Sequence, residues 1–118
     1  MKKLAKQSFT PCGFPLVEFK DSYGEQCSLQ ASSLAKYAQP GVSAIWLGID
    51  GVHAEVIHSD AAKVGIKTNQ KCGWVPYPIP DEVSVTTRMH LERDAVEALV
   101  NHLCAWLNSD VGSFELVP

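Results

Sequence analysis

The chain has 118 residues, enough for one domain whose single core needs no disulfide or metal staple. It is 46% hydrophobic and 19% charged, with three Trp, three Tyr and four Phe, a globular composition that excludes disorder and a coiled coil. A formal net charge of -3 excludes a general coat for duplex nucleic acid, which needs clustered Lys and Arg, but leaves a small anion as a partner.

The opening "MKKLAKQSFTPCGFP" carries positive charge without an apolar core region, so it is not read as a signal peptide. No stretch is long enough to span a bilayer, and the expected location is the cytoplasm. Residues 1–13 read as a flexible arm broken by Pro11 and Gly13, and residues 14–118 as a single domain. "PLVEFK" alternates, with Val17 and Phe19 on one side and Leu16, Glu18 and Lys20 on the other. "DSYG" supplies a tight reversal, and "EQCSLQ" resumes with Cys27 and Leu29 on one face, which together predict a β-hairpin. "ASSLAKYAQPG" is a loop or one short helical turn before a Pro-Gly breaker. "SAIWLGID" is apolar on both faces and reads as a central strand, in which Gly48 lets backbone or ligand approach closely.

Residues 50–80 are long for a connection in so small a domain, which points to a role of their own. Within them "SDAAKVG" fits one or two helical turns, and "GWVPYPIP", with three alternating prolines, fits an extended edge or surface crossing. "DEVSVTTRMHL" alternates throughout and predicts one strand: Val83, Val85, Met89 and Leu91 on one side, Ser84, Thr86, Arg88 and His90 on the other. "ERDAVEALVNHLCAWLNSDVG" predicts a helix with Val96, Leu99, Val100, Leu103 and Leu107 on one stripe, stopped at Gly112. A last short strand is expected at "SFELV". The resulting fold class is α+β, an antiparallel sheet of four or five strands with the C-terminal helix packed on one face.

The second face of that sheet collects Ser28, Gln30, Trp46, Gly48, Ser84, Thr86, Arg88 and His90, a polar-aromatic mixture that suits a ligand or a partner subunit. Arg88 and Arg93, the only arginines, flank the strand-to-helix junction. Free N–H groups and the helix dipole favour an anion there, and a planar guanidinium can hold phosphate through two parallel bonds. The plainer alternative makes Arg88 a surface strand residue and Arg93 a solvated one paired with Glu97. Trp46 is either core or a platform for a base, as Trp74, Tyr23 and Tyr77 could be from loops.

No catalytic residue is assigned. His90 with Asp94 and His53 with Asp50 can be drawn as base and orienter, but no nucleophile elbow, paired carboxylates or Gly-rich phosphate loop accompanies them. Cys12, Cys27, Cys72 and Cys104 lie far apart, so reduced thiols are expected. Their spacing with His53, His58, His90 and His102 matches no structural zinc site, and neither metal nor cofactor is expected.

Three blocks, "FKDSYGEQCSLQASSLA", "AIWLGID" and "GWVPYPIPDEVSVTTRMHLERDAVEALVNHLCAWL", together resemble a family of small, mostly uncharacterised bacteriophage and prophage proteins. The resemblance covers about residues 14–112. It implies a phage accessory protein in the cytoplasm of a bacterial host, of the size and acidity of counter-defence factors. In that family the RMHL block is typically followed by a Thr that caps the helix, whereas Glu92 and Ala95 stand at the capping-box positions here, a weaker cap.

Two functions follow as expectations. One is non-catalytic sequestration of a small anionic nucleotide signal, with Arg88 and Arg93 on phosphate, Trp46 or a loop aromatic stacked on a base, Ser28 and Gln30 on polar edges, and His90 in the same site. The other is a protein-binding inhibitor of a host factor, or a small phage structural component, whose interface is the same face. A homodimer or larger ring is expected to cover the surface that one helix leaves open and to form shared sites at the Arg88 and Arg93 junctions.

Overall fold

The structure, a computed structural model, describes residues 6–34, 36 and 41–112. The expected hairpin forms from strands β2 (Pro15–Lys20) and β3 (Gln26–Ala31), paired antiparallel in the register Val17 opposite Leu29 and Glu18 opposite Ser28. Asp21 builds its turn. One carboxylate oxygen accepts the Tyr23 N–H at 2.8 Å and the Glu25 N–H at 3.0 Å, and Gly24 takes a positive φ of 85° that side chains resist.

The segment expected to be an unstructured arm is part of the same sheet: Lys6–Phe9 is strand β1, antiparallel to β2. Pro11 and Gly13 do break the chain, but as a turn between two strands. Thr10 and Phe14 close it through Thr10 N–H to Phe14 O at 2.7 Å and Phe14 N–H to Thr10 Oγ1 at 3.0 Å. Sheet membership thus begins eight residues before the expected boundary at 14, at Lys6.

Strand β4 (Ala44–Ile49) pairs with β3, and on its other side with β7 (Arg88–Glu92), giving a five-stranded antiparallel sheet in the order β1-β2-β3-β4-β7. β4 is interior, as its apolar run predicts. The strand expected over 81–91 is shorter at its start, because β4 offers β7 partners only from Ala44 to Gly48, the last being opposite Arg88. Val83 and Val85 keep their alternation outside the ladder, lining a hollow with Tyr77 and Ile79.

Residues 1–50 with 88–118 form one compact unit, and Gly51–Thr87, inserted between β4 and β7, form another, where a single domain was expected. The second unit holds a two-stranded sheet of β5 (Glu55–Ile57) and β6 (Trp74–Pro76), so the proline-spaced segment is an edge strand. Between them "SDAAKVG" makes a 3₁₀ helix (His58–Val64), ended by Gly65 in the left-handed conformation. Ala61 and Val75 are its buried apolar residues.

Helix α1 (Arg93–Leu107) follows β7 directly. Glu92 occupies its N-cap without a side-chain capping bond to the helix, in keeping with the weak cap read from the sequence. The helix stops before Gly112, at Leu107, because Asn108, Ser109 and Asp110 favour turns, and the Ser109 N–H closes a tighter turn on Trp106 O at 3.1 Å. The α+β class and antiparallel sheet are as expected, but α1 covers little of the sheet: Val96 is its half-buried apolar residue, and none of its residues is buried. Among the described residues no helix is long and apolar enough to cross a membrane. The strand expected at 113–117 and residues 35 and 37–40 of the loop lie outside the described residues.

The β2–β3 turn generates a test. Asp21→Ala removes both acceptor contacts and should lower stability by about 1 kcal/mol, read as an earlier urea midpoint with an unchanged slope.

Candidate ligand-binding site

Register, rather than nearness in sequence, assembles the polar face. Two rows cross the sheet on that side: Glu18, Ser28, Gly48 and Arg88, and beside them Leu16, Gln30, Trp46 and His90. Because strand side chains alternate, each row sits on one face by parity alone.

Arg88 starts on β7 yet reaches β3, two strands away. Its Nη1 donates to Gln30 Oε1 at 3.1 Å and to Ser28 Oγ at 3.4 Å, and its guanidinium carbon lies 5.6 Å from the centre of the Trp46 ring. The residue it must cross on β4 is Gly48, which presents no side chain and has φ 152°, a conformation other residues avoid. Trp46 then forms one wall of the channel over which the guanidinium lies, in cation–π contact.

The anchor beneath is buried. Ser28, 3% exposed, donates its hydroxyl hydrogen to Asp50 Oδ1 at 2.6 Å, so its oxygen is left to accept from Arg88. Asp50 is itself fixed by its N–H to Gln26 O at 2.8 Å. Among the described residues Arg88 thus meets only neutral oxygens, and Ser28 links it to the Asp50 carboxylate. Among the described residues Arg88 has no ion pair, and its Nε–H and Nη2–H groups have no protein acceptor. These are the two parallel donors that suit a phosphate.

His90 completes the face. Its Nε2 lies 2.9 Å from Ser32 Oγ, and its ring centroid is 4.3 Å from that of Trp46, tilted by 51°. Ser32 is buried and extends the β3–β4 ladder through its N–H to Ala44 O at 2.9 Å. Five of the six residues expected at a ligand site, Arg88, His90, Trp46, Ser28 and Gln30, are therefore joined by contacts.

Arg93 stands apart from them. Its Nη1 donates to Ser43 Oγ at 3.1 Å, and it lines a small hollow with Ala44, Ile45, Leu91 and Val96. Among the described residues the two arginines share no hydrogen-bond partner, and Arg93 forms no ion pair with Glu97. Ser84 and Thr86, expected on the polar face, belong to the Gly51–Thr87 unit, outside the five-stranded sheet.

Asp50 and Ser32 were not expected at the site. Period two would have found them, since Asp50 follows Trp46 and Gly48 by the same step and Ser32 follows Ser28 and Gln30. The drawn catalytic pairs take other partners: His53 lies 2.6 Å from Glu55, and the Asp94 carboxylate accepts the Ala95 N–H at 2.9 Å. Burial, with the carboxylates of Asp21, Asp50 and Glu25 nearby, pushes the Cys27 thiol up, and all four cysteines are free. No group of three metal-ligating side chains occurs among the described residues.

No protein-family model matches the chain, and neither the curated proteins nor the solved structures contain a significant match.

If Gly48 is what admits Arg88, the two positions must be coupled. Gly48→Val should destabilise by about 2 kcal/mol, through backbone strain and obstruction. Combined with Arg88→Ala, the double-mutant cycle should leave an interaction energy of about 1 kcal/mol. Strict additivity in urea titrations would show that Arg88 does not depend on the gap.

Proposed function

We propose that the polar face binds a small phosphate-bearing ligand, a nucleotide, and holds it without chemical change. The observation that carries this reading is the Arg88 guanidinium: it is pinned across the sheet by neutral oxygens, beside an aromatic wall, with its two-pronged edge unpaired. A structural arginine in a half-buried setting is ordinarily matched by a carboxylate, because an unmatched charge there is costly. An arriving phosphate supplies that match and gains charge-assisted hydrogen bonds. Trp46 and His90 offer ring surface for a base, and Gln30 and Ser32 offer polar edges.

Sequestration is the role that follows from binding without catalysis, and the resemblance to bacteriophage proteins makes a host nucleotide signal the target class. Arg88 is the phosphate contact in this account. Arg93, held by Ser43, is not required for it.

Small molecules released by denaturing the protein purified from bacterial cytoplasm, identified by mass spectrometry, test the reading without a guess at the ligand. A panel of cyclic di- and trinucleotides and cyclic ADP-ribose isomers tests it directly. A member at a hundredfold its dissociation constant should stabilise the fold by about 2.7 kcal/mol. Arg88→Ala should abolish the melting shift, Arg93→Ala should keep it, and the nucleotide should be recovered intact. No shift with any member, together with no co-purified anion, would contradict the proposal.

A further inference from the structure

The opposite face of the sheet is apolar. Val17, Leu29, Leu47 and Met89 form one row in register across four strands, and not one of them is buried; Met89 is 52% exposed. Helix α1 carries a matching stripe that is exposed: Leu99 is 36% exposed, Val100 47%, Leu103 51%, Trp106 44% and Leu107 72%. Among the described residues, one chain therefore holds two complementary apolar surfaces, an exposed helix stripe and a sheet row that is half-buried up to its exposed end at Met89. Solitary exposed apolar residues are ordinary, but a whole stripe facing no protein marks an interface.

We propose that α1 of one copy packs across the Val17–Leu29–Leu47–Met89 row of a second copy, and that the exchange is reciprocal. The connection rules against the helix serving its own sheet. β7 ends at Glu92 and α1 begins at Arg93, so no loop residue exists to turn the helix back, and α1 meets its own sheet only near Val96, beside Ile45 and Leu91. Such a tight junction is the kind that favours exchange of an element between copies.

Dimensions agree with this occupant. A helix of 15 residues is about 22 Å long, and five strands at about 4.8 Å spacing span a similar width. The polar face carrying Arg88 lies on the other side of each sheet and stays open, so this inference does not depend on the ligand proposal.

The full-length protein at micromolar concentration, measured by light scattering after size exclusion, should have at least twice the 12.9 kDa chain mass. Leu103→Asp should reduce it to one chain. Exchange itself is read by cross-linking two differently tagged full-length chains in which the exposed Cys12, Cys72 and Cys104 are replaced by serine. One carries Leu103→Cys and the other Leu29→Cys. A thiol-reactive linker should join the two tags in one product. A single-chain mass for the unsubstituted protein overturns the proposal. So does a dimer that forms no mixed cross-link, or a linker that closes within a chain carrying both substitutions.

Discussion

A missing side chain at Gly48 is the constraint on which the polar face depends. Arg88 could pair with its immediate neighbour on β4, as most strand arginines do. With Gly48 opposite, it instead lies across β4 and engages Ser28 and Gln30 on β3. That crossing brings the guanidinium beside Trp46 and fixes the direction of its free edge. Buried Ser28, held by Asp50, sets the far end of the reach. Three strands are thus linked by one side chain, and the face becomes a polar, aromatic surface that carries a guanidinium.

The same register that gathers these residues gathers the apolar row behind them. Each β3, β4 and β7 residue facing Arg88's side has a neighbour facing the other, so a polar site on one face comes with an apolar face on the reverse. Apart from the free edge of Arg88, the site side is held by hydrogen bonds within the chain. The reverse side has no such solution, because hydrophobic surface is relieved only by cover. Placing the Gly51–Thr87 unit between β4 and β7 leaves this arrangement undisturbed, since the β4–β7 ladder closes across the insertion.

Much of this was legible in the sequence where local chemistry decides the outcome. Alternation in "PLVEFK" and "EQCSLQ", with Asp21 and Gly24 between them, determines a hairpin before any tertiary contact forms. The apolar run through Trp46 and the helical stripe from Val96 were equally plain. Failures arose where two structures share one pattern. Val83 and Val85 alternate like strand residues because extended chain against an apolar hollow has the same period as a paired strand. Lys6–Phe9 carries too little apolar signal to announce a strand, and its pairing is supplied by β2. The split at Gly51 left no signal beyond the length of the connection. At the site, polarity and parity identified five residues, whereas the joining of Arg93 to them rested on closeness in sequence, and the chain turns between Arg88 and Arg93 at the β7–α1 junction. Ser32 and Asp50 were hidden because each lies just past the end of a strand, where alternation seemed to have stopped.

The central claim, that the guanidinium edge of Arg88, set beside Trp46, receives a phosphate, is most directly tested by arginine side-chain NMR. The chain has two arginines, so a spectrum of the Nε–H groups contains two signals, assigned by Arg93→Lys. On titration with pyrophosphate and then with a cyclic dinucleotide, the Arg88 signal should shift and sharpen as its Nε–H gains an acceptor, while the Arg93 signal stays in place. A shift confined to Arg93, or equal small shifts of both that vanish in 0.15 M salt, would contradict the account.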